Sequence, residues 1–308
     1  MSHQKLIKPK DSFAQVPYCD DLSKLDADVA VFGSAHGTPY KPGVASHAAR
    51  GEAAVRGALS WYSTGPEQFD FDTMGPIFGS ARVADCGNVD GDLHDGEANR
   101  RAIYEITRII LGKGAKPILL GGDDSVPIPF IEAYGSAGFS DLTIVQIDAH
   151  IDWRQDLGGV THGFSSTMRR ASEMDHVNNI IQIGARGPGS ARASDLQDAK
   201  DWGVQFFTGR DVHCHGLSAA IEAVPQGSNV ILAIDVDGID PTVVPGVILP
   251  AFGGLSYQQM LDIIQGVAAR ATIVGADFVE FVPQRDPTGS GAQVIARLAS
   301  TVISAISL

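Results

Sequence analysis

Five short runs rich in Ile, Val and Leu recur along this chain of 308 residues, at 117–120, 142–147, 179–183, 229–234 and 272–279. They are largely continuous in apolar residues and do not alternate with polar ones. That pattern belongs to strands buried on both faces, as in a parallel sheet with helices above and below it. Helical patterns separate the runs, including 256–269 and 291–306. Segment 99–111 places Ile103, Ile106, Ile109 and Ile110 at helical spacing. Earlier in the chain, 30–32 and 82–84 read as strands and 47–59 as a helix. No Pro/Gly/Ser linker divides the chain, so 27–308 reads as a single doubly wound α/β domain behind an irregular N-terminal arm, 1–26.

Composition narrows the class further. A hydrophobic fraction of 44% against 19% charged residues supports a sizeable core. No apolar run reaches the 18 or so residues of a membrane span. Met1 to Lys10 is polar and basic, unlike a signal peptide. A net charge of −13 opposes nucleic-acid binding, which needs a basic footprint, and is compatible with a small cationic substrate. Cys19, Cys86 and Cys214 are odd in number and widely spaced, so no disulfide framework or CxxC zinc site follows. The expected setting is reduced and cytoplasmic.

In open α/β sheets, ligands bind beyond the carboxyl ends of the strands. The run 118–120 enters Gly121-Gly122-Asp123-Asp124-Ser125, and 144–147 enters Asp148-Ala149-His150-Ile151-Asp152. The run 230–234 enters Asp235-Val236-Asp237-Gly238-Ile239-Asp240-Pro241, and the last run ends at Glu280. A single DxD at a strand end is commonly a helix cap or turn. Three acidic clusters converging on one rim are not explained that way. Five carboxylates within a few ångströms cannot all stay ionised unaided; protons or cations must neutralise them. Two divalent ions, bridged by carboxylates and completed by an imidazole, would do so. In extended geometry the spacing Asp148-x-His150-x-Asp152 turns all three side chains one way. An EF-hand loop fails at Ile239, where an oxygen ligand is needed. A phosphatase-type nucleophilic DxD leaves the Asp148/His150/Asp152 cluster unexplained.

These residues resemble a known family. Gly121–Ser125 is similar to the GGDHS motif of the arginase/agmatinase (ureohydrolase) family, Asp148–Asp152 to its DAHxD motif, and Asp235–Pro241 to its DxDxxDP motif. Tyr40-Lys41-Pro42-Gly43 with Val55-Arg56, Gly253-Gly254-Leu255, and Val279-Glu280 with Pro283 resemble further family elements, so the resemblance covers roughly 28–305. It implies a three-layer α/β/α fold with a mostly parallel central sheet, a binuclear site usually of Mn2+ and in some members Ni2+, and a homotrimer or homohexamer. Carried over by position, Asp124, Asp148, Asp152 and Asp235 would hold one ion. His150, Asp148, Asp235 and Asp237 would hold the other, with Asp148 and Asp235 bridging. A metal-bridging hydroxide would attack a guanidino carbon and release urea and an amine. His162 would protonate the leaving amine, and Glu280 would hold the guanidinium. Agmatine, guanidinobutyrate and related guanidino or biguanide compounds are the implied substrates.

Three departures stand out. Asp124 replaces the histidine of the first motif, making one ligand set all carboxylate if it binds and weakening one metal site if it does not. Val244–Pro250 is bulkier and more apolar than the family's Gly/Thr-rich loop, which would line the pocket for a less polar substrate. Trp153 and Arg154 follow the second motif; Arg154 would meet a substrate carboxylate or else pair with a neighbouring acid. His213-Cys214-His215 reads as a loop away from the strand ends. A catalytically silent structural subunit, or an amide hydrolase releasing another product such as formamide, are the competing functions.

Overall fold

The computed structural model describes residues 6–61, 65–189 and 191–307; residues 1–5 of the expected arm lie outside these. A nine-stranded sheet forms the centre, ordered β1-β5-β2-β6-β11-β10-β7-β8-β9. Its strands are β1 (Leu6–Ile7), β2 (Val29–Gly33), β5 (Val83–Val89), β6 (Lys116–Leu120), β7 (Leu142–Ile147), β8 (Val177–Ile183), β9 (Gln205–Phe207), β10 (Asn229–Asp235) and β11 (Thr272–Val279). β1 runs antiparallel to β5, and every other pairing in this sheet is parallel. A small ribbon, β3 (Phe69–Asp70) with β4 (Gly75–Pro76), stands apart.

The apolar strands feed two cores. On β6, Ile118 and Leu120 enter one core while Leu119 enters the other; on β10, Val230, Leu232 and Ile234 face one side and Ile231 and Ala233 the opposite one. This is the period-two alternation of a strand expressed with apolar residues on both faces. The first core is closed by α1 (Gly51–Ala58), α6 (Gly209–His215), α7 (Ser218–Ala223), α8 (Tyr257–Arg270) and α9 (Ser290–Ile306). The second is closed by α2 (Gly96–Gly112), α3 (Pro127–Ser136), α4 (Thr167–Ala171) and α5 (Ala193–Trp202). The result is the three-layer α/β/α arrangement.

Local signals explain the clearest helices. Asp95 caps α2 by accepting from the Ala98 N–H at 2.8 Å, and Ser256 with Gln259 forms a reciprocal capping box on α8. Arg56 in α1 is 1% exposed and its guanidinium donates to Asp85 of β5 at 2.8 Å, so it fastens a helix to the sheet. Within the 1–26 segment, Phe13 is fully buried in the first core and β1 pairs with β5. The His213–His215 stretch is the last turn of α6, not a loop; Thr208 caps that helix and His213 reaches the Gly254 carbonyl at 3.0 Å. Among the described residues no helix is long and apolar enough to cross a membrane.

Candidate metal centre

Four neighbouring strands, β6, β11, β10 and β7, bring the acidic residues together. Ile234 of β10 pairs with Ile147 of β7, and Asp235 pairs with Val279 of β11. Asp148 and Asp235 therefore leave the sheet at one height, with Glu280 one residue further along. The approach of the two loops is tight. A Cβ on Gly238 would fall 2.6 Å from the Asp148 backbone nitrogen, so only glycine fits there.

Beyond Ile147 the chain does not continue in the extended geometry expected from the 148/150/152 spacing. Asp152 has φ +43° and Glu280 has φ +66°, both in the left-handed region that costs a non-glycine residue energy. The side chains converge because the loop turns. That loop is fixed by the Gln182 amide, which donates to the Ile151 carbonyl at 2.9 Å, and by the Arg169 N–H, which donates to the Asp152 carbonyl at 3.1 Å.

Two donor sets result. One ligand atom each of Asp148, His150 and Asp237 lie within 4.8 Å of one another, as do those of Asp124, Asp148 and Asp152. Asp148 belongs to both. His150 Nδ1 stands 3.1 Å from Asp237 Oδ2 and 3.4 Å from Asp148 Oδ1. Asp235 lies outside both compact triplets but lines the same cavity as Asp124, Asp152 and Asp237. The five aspartates are between 1% and 8% exposed.

Their titration follows from that burial. Burial and then the charge of Asp152 push the Asp124 and Asp148 carboxyls well above the usual range. Burial and then Asp237 do the same to Asp235. Burial opposes charge on Asp237 as well, but the hydrogen bond from His150 outweighs it and holds this carboxyl low. Burial also disfavours the His150 imidazolium; the bond to Asp237 and the surrounding carboxylates overcome it and push the imidazole up to about 9. Two like charges 4 Å apart cost about 4 kcal/mol even at an effective dielectric near 20. Several such pairs exceed the roughly 5–15 kcal/mol by which a domain is stable, so the cluster must take up protons or cations.

The residues fit divalent cations. The 124/148/152 set is all oxygen, which suits hard ions such as Mn2+ or Mg2+, and the second set adds the imidazole nitrogen common at Mn2+ and Ni2+ sites. Asp124 Oδ2 is buried with no hydrogen-bond partner, an acceptor that an ion would satisfy.

A cavity of about 740 Å3 opens over the cluster, with Asp124, His150, Asp152, Asp235, Asp237 and Glu280 on its floor. Ile248, Leu249 and Pro250 line it, as the apolar 244–250 segment suggested, whereas Val244 and Val247 turn into the core. Trp153 is 2% exposed in the second core, its ring 6.1 Å from that of Trp202, so it is a packing residue. His162 does not line the cavity. It is half-buried, in contact with Thr161 Oγ1 at 2.8 Å, and the charges that act on it are those of Arg100, Arg170 and Glu173, not the cluster's. Phe164 and Ser165 of the same loop face the cavity in its place.

Four residues at the site had no part in the motif reading. Gln146 donates to Asp148 Oδ2 at 2.6 Å and to Asp152 Oδ2 at 3.3 Å, and Gln182 donates to Gln146 in turn. A buried glutamine inside an apolar strand was the available signal. His47 donates through Nε2 to Glu280 Oε2 and packs edge-on against Phe164, while Glu280 Oε1 accepts the Asp124 N–H at 2.9 Å. Burial raises the Glu280 carboxyl, and His47 counteracts this. Arg186 donates to the carbonyls of Asp237 at 2.7 Å, Gly238 at 3.1 Å and Ala251 at 2.8 Å, clamping the metal loop to the cavity wall. Asp240, the third acid of its motif, accepts from Gly253 and Gly254 at 2.9 and 3.0 Å and so latches a loop.

A mostly parallel sheet between two helical layers, with one carboxylate common to two candidate ligand sets beyond its central strand ends, is an arrangement suited to a binuclear metal site. The chain belongs to the arginase family, whose model matches residues 27–305. It is 31% identical over 239 residues to a guanidinobutyrase of Pseudomonas aeruginosa, covering 75% of this chain and 73% of that protein. A crystal structure of a hypothetical agmatinase from Burkholderia thailandensis superposes with a TM-score of 0.82 at 27% identity, over 96% of this chain and 90% of that one. A formiminoglutamase of Trypanosoma cruzi, solved with Mn2+, shares the fold at 20% identity and a TM-score of 0.81, over 96% of this chain and 98% of that one. The protein is therefore an enzyme of the ureohydrolase type.

Proposed function

We propose that this enzyme hydrolyses the C–N bond of a small guanidino compound, releasing urea and an amine, with a pair of divalent ions, Mn2+ in preference to Ni2+. The observation that carries this reading is Asp148, shared by two adjoining ligand sets beneath a cavity that also holds Glu280. Asp124, Asp148 and Asp152 would hold one ion and Asp148, His150 and Asp237 the other, and Asp235 of the same cavity would complete the set. When bound, the ions supply hydroxide at neutral pH by lowering the pKa of water.

The chain's own residues do the rest. Glu280 accepts charge-assisted hydrogen bonds from the guanidinium and orients its planar carbon over the cluster. His47 fixes the Glu280 carboxylate and supports its ionised form against burial. The apolar wall at Ile248 and Pro250 limits water around the bound group. The relatives' names point to agmatine and guanidinobutyrate as substrates to try first. A reduced cytoplasmic setting and a trimeric or hexameric assembly complete the reading, supported by the unpaired cysteines and by the family resemblance respectively.

The test is urea release from a panel of guanidino compounds by Mn2+-loaded and Ni2+-loaded protein, with Asp152→Asn as the blank. Urea from one compound, absent in the blank, is the expected result. No urea from any compound with either metal would overturn the proposal in favour of a silent subunit or a different product.

A further inference from the structure

The same cavity contains a cation that is paired with no acidic group among the described residues. Arg154 lines it, two residues beyond Asp152. Its backbone is held: the Arg154 N–H donates to the Ser165 carbonyl at 3.0 Å, and the preceding Trp153 is packed in the core. Among the described residues its guanidinium has no hydrogen bond and no ion pair, although five carboxylates line the same cavity. The other arginine there, Arg186, is fully committed to backbone carbonyls, and His150 is committed to Asp237. Arg154 is thus the one uncommitted cation among the residues that line the cavity, whose lining also includes the apolar side chains of Leu157, Leu249 and Phe252.

We propose that Arg154 is the anion-binding end of a two-ended pocket, so that the substrate is an ω-guanidino carboxylic acid and not an ω-guanidino amine. This rests on the function proposed above. The acidic floor takes the guanidinium end. The apolar side chains pack against the methylene spacer. The planar guanidinium of Arg154 takes the carboxylate through paired N–H···O bonds, the geometry in which arginine binds carboxylates best. A diamine-derived substrate such as agmatine carries a second positive charge, which would meet Arg154 with no acid to offset it. Discrimination then comes from repulsion of the wrong substrate as well as attraction of the right one.

The experiment compares 4-guanidinobutyrate and 5-guanidinovalerate with agmatine, using wild type, Arg154→Gln and Arg154→Glu. Urea release gives kcat/KM, and calorimetric titration of each compound into the Mn2+-loaded proteins gives binding independently of turnover. Wild type should prefer the acids, through KM more than kcat. Arg154→Gln should lower the acid-to-amine ratio by on the order of ten- to a hundredfold, and Arg154→Glu should reverse the preference. Melting temperatures should stay near wild type, since Arg154 has no partner to lose. A wild-type preference for agmatine, or a binding ratio unmoved in both variants, would overturn the assignment even if urea is released. Absence of urea with all compounds would instead overturn the proposed reaction, and the binding ratio would still decide the role of Arg154.

Discussion

Gln146 and Gln182 show how individual side chains prepare the ligand cluster. Gln146 reaches both Asp148 and Asp152, which belong to the same donor set, and Gln182 holds Gln146 in place. Such outer partners of metal ligands typically control affinity by ten- to a hundredfold. Gln146→Leu should therefore weaken Mn2+ binding by about that factor, read by calorimetric titration, while its far-ultraviolet dichroism stays that of the wild type. His162 gives the opposite expectation. A general acid contributes on the order of 100- to 10,000-fold, but His162 stands off the cavity. His162→Asn should lower kcat by less than about tenfold, and a larger loss that imidazole restores would return the proton-donor role to it. The ligands themselves were legible because each sits at a fixed step beyond an apolar run. Gln146, His47 and Arg186 were not, since their roles depend on which strands and loops lie side by side, which no local spacing encodes.

The elements divide in the same way. β7 and β11 occur at the residues their apolar runs mark, and β10 extends its run by Asp235, which lines the cavity. α3 escaped a periodicity reading for a physical reason: it carries Pro127 and Pro129 in its first turn, where missing N–H groups cost little, and most of its residues are buried, so no polar stripe marks it. β9 is only three residues long, and the short α6 was masked by its histidines. The junction of β7 and β10 is the element contact that matters most to the site, and Gly238 sets its distance. Gly238→Ala must push the Asp148 backbone away, because the new Cβ would also meet Ile147 Cγ2 at 2.8 Å. We expect a loss of about 1–3 kcal/mol in stability, as for other overpacked sites, with a larger fall in metal affinity than in the Gln146 variant. Urea denaturation and metal titration on the same protein check both. Unchanged stability with unchanged metal binding would mean that the two loops do not approach as closely as described.

At the scale of the whole molecule, the sheet holds its acids where water cannot solvate them, and this links stability to pH and metal. Asp124, Asp148 and Asp235 titrate well above an unfolded aspartate because of burial, so between the two ranges the folded metal-free protein binds more protons than the unfolded one. Stability then falls as pH rises, since its slope with pH follows the protons bound by the unfolded state minus those bound by the folded state. Burial raises Asp152 as well, and Asp237 alone of the five aspartates works in the other direction. Metal-free protein should accordingly melt higher at mildly acidic pH than at pH 8. Divalent ions replace those protons and bind only the folded arrangement. At a hundredfold excess over Kd one such site adds about 2.7 kcal/mol, and metal affinity itself rises with pH as protons are displaced. Loading with Mn2+ should therefore raise the melting temperature most at pH 8 and flatten or reverse the pH trend. Scanning calorimetry of chelator-treated and Mn2+-loaded protein from pH 5.5 to 8.5 measures this directly. A metal-free protein whose melting temperature rises with pH would show that the three carboxyls are already ionised in the fold, and that some other group neutralises the cluster.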